Sequence, residues 1–191
     1  MQRYRLDWST PSGHLLAIEP TPDEIRAHAA ALATAYNDPH NAPLMGHTDP
    51  IPEAEVIDNY ESMIADGSRL FLLFHDGAFA GDADLRGIED GAAEFAFMIA
   101  ATAAQGKGLG TRFAILVHRF GFSELALHHI YASIVPANVA SRRVFEKLGY
   151  VLDHGPTARG FADEPGDIVM AIDRATFERH QPATDIQIAT R

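Results

Sequence analysis

Residues Ala101–Arg112 read ATAAQGKGLGTR, with Gly106, Gly108 and Gly110 spaced two apart. Positions without a Cβ at a strand-to-helix junction let several backbone N–H groups converge on one point, and a helix N-terminus adds partial positive charge there. Such a loop binds an anion, most naturally a phosphate. Lys107 and Arg112 place two point charges beside it. Two common phosphate motifs do not fit. A Walker loop requires Gly-Lys-Ser/Thr, whereas Gly110 is followed by Thr111 and Arg112. A dinucleotide fingerprint requires G-x-G-x-x-G and an acidic residue ending the next strand; here the spacing is G-x-G-x-G and the next strand-like run ends at Val135-Pro136.

The flanking segments must position this loop. Ala93–Ala100 (AEFAFMIA) reads as the strand before it. Leu109, Phe113, Leu116, Val117 and Phe120 form the apolar stripe of the helix after it. Upstream, His14–Glu19 is a short strand, and Thr21-Pro22-Asp23-Glu24 opens a helix with a capping box that runs to about Tyr36. Asn37–Pro52 carries Pro39, Pro43, Pro50 and Pro52 and reads as a loop. A second helix follows over about Glu53–Ala65. Arg69–His75, the Asp76-Gly77 turn and Ala78–Leu85 form a hairpin, making a three-strand meander with Ala93–Ala100. Downstream come a strand at Ile130–Val135, a helix from about Asn138 to Leu148 closed by Gly149, and a last strand pair at Val151–Leu152 and Ile168–Ile172. The strand–helix–strand unit around the glycine loop should be a parallel crossover. This is an α/β protein, α+β by strand order. Residues 1–180 form one domain, and the weakly patterned tail 181–191 suits disorder, an added edge strand or a dimer contact.

Composition narrows the function. The chain has 191 residues, 26 acidic and 15 basic, for a net charge of −11. That balance repels nucleic acid and suits a cationic partner such as an amine. With no cysteine, neither disulfides nor thiolate metal sites are available. His128 and His129 are adjacent and point to opposite faces of a strand, so no metal site is expected. No apolar run reaches membrane-spanning length and the N-terminus lacks a leader-like apolar region, so a cytoplasmic protein is expected.

Gln105-Gly106-Lys107-Gly108-Leu109-Gly110 is a Q-x-x-G-x-G sequence, followed about 30 residues on by Asn138-x-x-Ser141-x-x-x-Phe145-Glu146-Lys147-Leu148-Gly149-Tyr150. The pair resembles the acyl-CoA motif and the "EKLGF" segment of the GNAT superfamily of N-acetyltransferases. The order of elements matches that family from about residue 14 to 173. Ser141 and the run ending at Ile172 look most like its ribosomal-protein alanine acetyltransferase branch. The resemblance implies a mixed, mostly antiparallel sheet flanked by helices. It also implies acetyl-CoA as acyl donor, held by Gln105, Gly106, Lys107, Gly108, Leu109, Gly110 and Thr111, with Met98, Ile99 and Asn138 along the pantetheine arm. The acceptor would be an amine, on a small molecule or a protein N-terminus.

Amine attack on a thioester needs a base, an oxyanion donor and a proton for the thiolate. Strand alternation puts Phe95, Phe97 and Ile99 on a core face and Glu94, Ala96 and Met98 on the other, so Glu94 is the candidate base. Many relatives carry a tyrosine acid where this chain has Phe145; Ser141 is the candidate replacement and Tyr150 a weaker one. Asp82 and Asp84 share a strand face and could hold an ammonium group, though a solvated face is the simpler expectation. A non-catalytic CoA-binding or interaction module of the same fold is the alternative that Phe145 motivates.

Overall fold

The computed structural model describes residues 2–46, 49–100, 108–181 and 185–191. Strands β1 (Tyr4–Thr10) and β2 (Gly13–Ile18) form an antiparallel hairpin. Helix α1 (Pro22–Tyr36) begins as its sequence predicts: Thr21 Oγ1 accepts from the Glu24 N–H, the Glu24 carboxylate accepts from the Thr21 N–H, and Pro22 occupies the first turn. Among its described residues the proline-rich loop forms a 3-10 turn at Ala42–Met45 before α2 (Glu53–Ala65). Then β3 (Arg69–His75), β4 (Ala78–Glu89) and β5 (Ala92–Ile99) meander back and forth. Helix α3 (Leu109–Ser123) leads to β6 (His129–Ile134). Helix α4 (Val139–Leu148) is capped by Asn138 and ends at Gly149 in the left-handed region. The chain closes with β7 (Val151–Leu152), α5 (Pro156–Arg159), β8 (Ile168–Asp173), α6 (Arg174–His180) and β9 (Gln187–Thr190).

One nine-stranded sheet runs β7-β8-β6-β5-β4-β3-β2-β1-β9. Every pairing is antiparallel except β5–β6, joined through α3 as the crossover expectation requires. Strand β1, α5 and α6 have no counterpart in the sequence reading. In β1 (YRLDWST) only Leu6 is fully buried among polar neighbours, so its alternation is faint. Helix α6 follows β8 without a linker, and its one buried side chain is Phe177. Part of the tail is an edge strand, since β9 pairs with β1.

The sheet has two unequal faces. Phe71, Leu73, Leu85, Phe95 and Phe113 belong to the larger core under α3 and α4. Leu70, Leu72 and Met98 face α1 and α2, packing on Ile25, Leu32, Val56 and Tyr60. Between these faces β4 carries an extra residue. Leu73 pairs with Gly81 but Phe74 pairs with Phe79, leaving Ala80 as a bulge. At Gly81 φ is +142°, and a Cβ there would lie 2.0 Å from the Met98 carbonyl oxygen. The close approach of β4 to β5 beside Met98 therefore requires glycine. Gly81→Ala is expected to cost about 3 kcal/mol, roughly 5–10 °C in Tm for a domain of this size; thermal unfolding measures it, and an unchanged Tm would contradict the close approach.

Candidate active site

Parallel pairing between β5 and β6 covers only Ala92↔His129, Ala93↔Ile130 and Glu94↔Tyr131. Past Glu94 a cavity of about 520 Å³ opens, with Phe95–Met98 on one wall and Ser133–Val135 on the other. Tyr36 and Tyr60 reach it from α1 and α2, and Asp163, Glu164 and Asp167 from the segment between α5 and β8. A second cavity of about 330 Å³ lies against the start of α3, lined by Ile99, Gly108, Leu109, Gly110 and Thr111. Met98, Asn138 and Ser141 border both cavities, so the two meet there.

The charges are segregated. Arg143 and Lys147 of α4 line the second cavity, and no carboxylate does among the described residues. Gly108, the N-cap of α3, has φ +75°, and the helix points its first N–H groups out of this end. Arg112, one turn in, has a buried Nε with no hydrogen-bond partner among the described residues. These features suit a polyphosphate anion. Arg143 and Lys147 share a helix face by their i, i+4 spacing, but that this face borders the cavity depends on how α4 packs. Of the loop residues expected to bind the coenzyme, Gln105, Gly106 and Lys107 lie outside the described residues. Asn138 caps α4: its Oδ1 accepts from the Ser141 N–H at 3.0 Å, and its Nδ2 donates to the Leu44 carbonyl at 3.0 Å.

The first cavity is acidic: Asp82, Asp84, Asp163, Glu164 and Asp167 line it against one cation, Arg86. The expectation that Asp82 and Asp84 lie on a solvated face is overturned. The face they share carries α1 and α2, and Asp82 is 6% exposed. Asp82 Oδ2 accepts hydrogen bonds from both Tyr36 and Tyr60. Asp84 accepts no hydrogen bond among the described residues; its Oδ1 lies 3.8 Å from Arg86 Nε, and its side chain keeps 14% exposure. Burial pushes Asp82 up to about 6, against the two phenolic donors. Burial pushes Asp84 up to about 7, Arg86 opposing and the neighbouring acids adding.

Glu94 shares this sheet face, as its alternation predicts, but its carboxylate is engaged. Arg86 donates to it twice, at 2.7 and 3.1 Å, and also to Asp163 at 3.0 Å. The Glu94 side chain lines a separate groove with Glu89, Asp90 and His129. Phe145 is buried against Phe95, Phe97 and Tyr150. The Tyr150 hydroxyl donates to His118 Nε2 at 2.5 Å inside the core, while His118 Nδ1 donates to the Ala114 carbonyl. Burial holds His118 at about 3, so it stays neutral. Tyr150 is thus turned away from the cavities, and Ser141 is the hydroxyl at their junction.

A family model described as an acetyltransferase (GNAT) domain matches residues 19–151. The chain is 32% identical over 153 residues to spermidine N(1)-acetyltransferase of Escherichia coli (strain K12), covering 75% of this chain and 76% of that protein. It is 39% identical over 77 residues to the probable N-acetyltransferase YjcK of Bacillus subtilis (strain 168), a match spanning 39% of this chain and 42% of that one. Its fold is similar to that of Mycobacterium smegmatis RimJ in complex with CoA-disulfide, with a TM-score of 0.74 at 18% identity, covering 96% and 93% of the two chains. The chain belongs to the GNAT acetyltransferase family, and its class is that of an acetyltransferase enzyme.

Folded Asp84 holds its proton to higher pH than the unfolded chain does. Its contribution to stability is complete below about pH 4 and lost as pH rises through about 7. Asp84→Asn is therefore expected to stabilise the fold at pH 8 relative to pH 5 by on the order of 1–3 kcal/mol. Denaturant melts at both pH values read the difference; equal effects at the two would show that Asp84 is not buried as described.

Proposed function

We propose that the protein transfers an acetyl group from acetyl-CoA to a primary amine, with Asp84 as the base. One observation carries this reading. A cavity with a cationic wall at a helix N-terminus meets a cavity floored by a weakly held carboxylate, at the junction of Met98, Asn138 and Ser141. The cationic cavity suits the coenzyme pyrophosphate: Gly108, Leu109, Gly110 and Thr111 by their amides, Arg143 and Lys147 by charge, with Arg112 one turn into α3 adding to it. Met98 lies past the β5–β6 pair Glu94↔Tyr131, on the stretch of β5 that lines both cavities, so an extended arm can run beside it as an added strand. Acetyl-CoA supplies the thioester, and a backbone N–H near Met98 or Ile99 polarises its carbonyl.

The acceptor enters through the acidic cavity as an ammonium ion. Asp84 removes its proton, directly or through water, and the neutral nitrogen then forms the C–N bond as the C–S bond breaks. A carboxyl group titrating near 7 is matched to this task at neutral pH. Glu94, the base expected from strand alternation, is instead assigned to hold Arg86 and through it Asp163. Ser141 or water relays the second proton of the nitrogen to the departing thiolate, so that the amide and the coenzyme thiol are both neutral, because Phe145 has no proton to give. A cationic acceptor agrees with the spermidine substrate in the name of the Escherichia coli relative.

Coenzyme thiol release with spermidine, kanamycin and an alanyl peptide tests the reaction. Asp84→Asn should lower kcat at least 100-fold at pH 7 with the acetyl-CoA KM unchanged. Full activity in that variant removes Asp84 from the role of base. Gly108→Asp should raise the acetyl-CoA KM more than 10-fold and leave the fold intact, because aspartate tolerates the left-handed region and a Cβ there meets nothing closer than 3.9 Å. An unaltered KM would separate that helix end from the coenzyme.

A further inference from the structure

We propose that Asp82 is a positioning residue for the base: clamped by Tyr36 and Tyr60, it keeps a fixed negative charge beside Asp84 and so makes Asp84 a stronger base. This rests on the assignment of Asp84 above. The two carboxylates differ in how they are held. Asp82 Oδ2 takes an O–H from each of two helices, Tyr36 on α1 and Tyr60 on α2. Its Oδ1 is buried with no hydrogen-bond partner among the described residues. Oδ2 is thereby committed to the two phenols. Asp84, two residues on, has no such clamp and keeps contact with the cavity.

Alternate residues of a strand lie roughly 7 Å apart on one face. At that distance, with both carboxyl groups largely buried, a fixed charge on Asp82 disfavours ionisation of Asp84. Each phenol donor favours the ionised form of Asp82, so the pair divides its roles: Asp82 loses its proton first and Asp84 then titrates against it. The other groups facing Asp84 are Arg86 on its own strand, Glu94 on β5 and Asp163 from the segment before β8. Arg86 opposes the effect, but it also serves Glu94 and Asp163. The phenols themselves carry no proton traffic near neutral pH, because burial first and Asp82 second push both above the ordinary tyrosine range.

The full chain labelled with 13Cγ-aspartate gives the test, with carboxyl resonances followed by NMR through a pH titration. Asp84→Asn identifies the Asp84 signal by its loss. Asp82→Asn should lower the Asp84 midpoint by on the order of one pH unit. Tyr60→Phe, the milder change, leaves Asp82 less able to stay ionised and should move the midpoint the same way by less. The acid limb of kcat/KM should follow, with the acetyl-CoA KM unchanged. An Asp84 midpoint that stays in place in both folded variants makes Asp82 a structural residue only and overturns the proposal. Wild-type acetyl transfer by Asp84→Asn would instead overturn the base assignment, and this proposal with it; that outcome is read from activity, independently of the NMR midpoint.

Discussion

The site exists because the ladder between β5 and β6 stops after three pairs. Two parallel strands that begin side by side and then separate leave a wedge in the middle of a continuous sheet. Ser133 and Ile134 at the end of β6, with Val135 and Asn138 after it, line the cavity together with Phe95–Met98 of β5. The absent Cβ at Gly81 lets β4 lie close against β5 on the other side of that strand. Helix α3 starts at one mouth of the wedge and the helices α1 and α2 cover the other. A single backbone feature thereby places a helix N-terminus and a carboxylate floor on opposite sides of the same strand.

The charge pattern follows from that geometry. A chain with net charge −11 has concentrated cations on the α3–α4 side and carboxylates on the α1–α2 side. Such a division draws a polyanionic donor and a cationic acceptor to different mouths of one channel. It also has an energetic cost. Two buried carboxylates, of which Asp84 alone lies beside a cation, destabilise the fold at neutral pH, as groups held away from their ordinary pKa do. Folds tolerate this where the strain serves a task. Arg86 limits the damage by binding Glu94 and Asp163, and in doing so it fastens the segment before β8 to the edge of the cavity. Ser133 helps from β6, donating to Asp167 and accepting from the Asp163 N–H.

Phe145 completes an aromatic cluster with Phe95, Phe97 and Tyr150. The cluster seals the base of α4 and turns the Tyr150 phenol into the core, where the Nε2 of neutral His118 accepts its hydrogen bond. That leaves Ser141 at the meeting point of the cavities, one turn earlier on the same helix.

Local patterns were readable from the residues alone. The Thr21 capping box, the Asp76-Gly77 turn, the Gly149 helix end and the stripe of α3 each lie within one or two turns of chain, where short-range sterics and hydrogen bonds decide. So was the family, through the glycine spacing and the Asn138–Tyr150 segment. Even the sheet face of Glu94 was correct, because strand alternation is strict. What the tertiary structure alone decided is which polar groups on that face are buried and with whom. Asp82 and Asp84 look like surface residues until Tyr36, 46 positions away, and Tyr60, 22 away, are brought over them. Glu94 looks like a free base until β4 delivers Arg86 to it. Periodicity records the direction of a side chain; burial and charge pairing depend on what distant parts of the chain place opposite it, and only packing determines that.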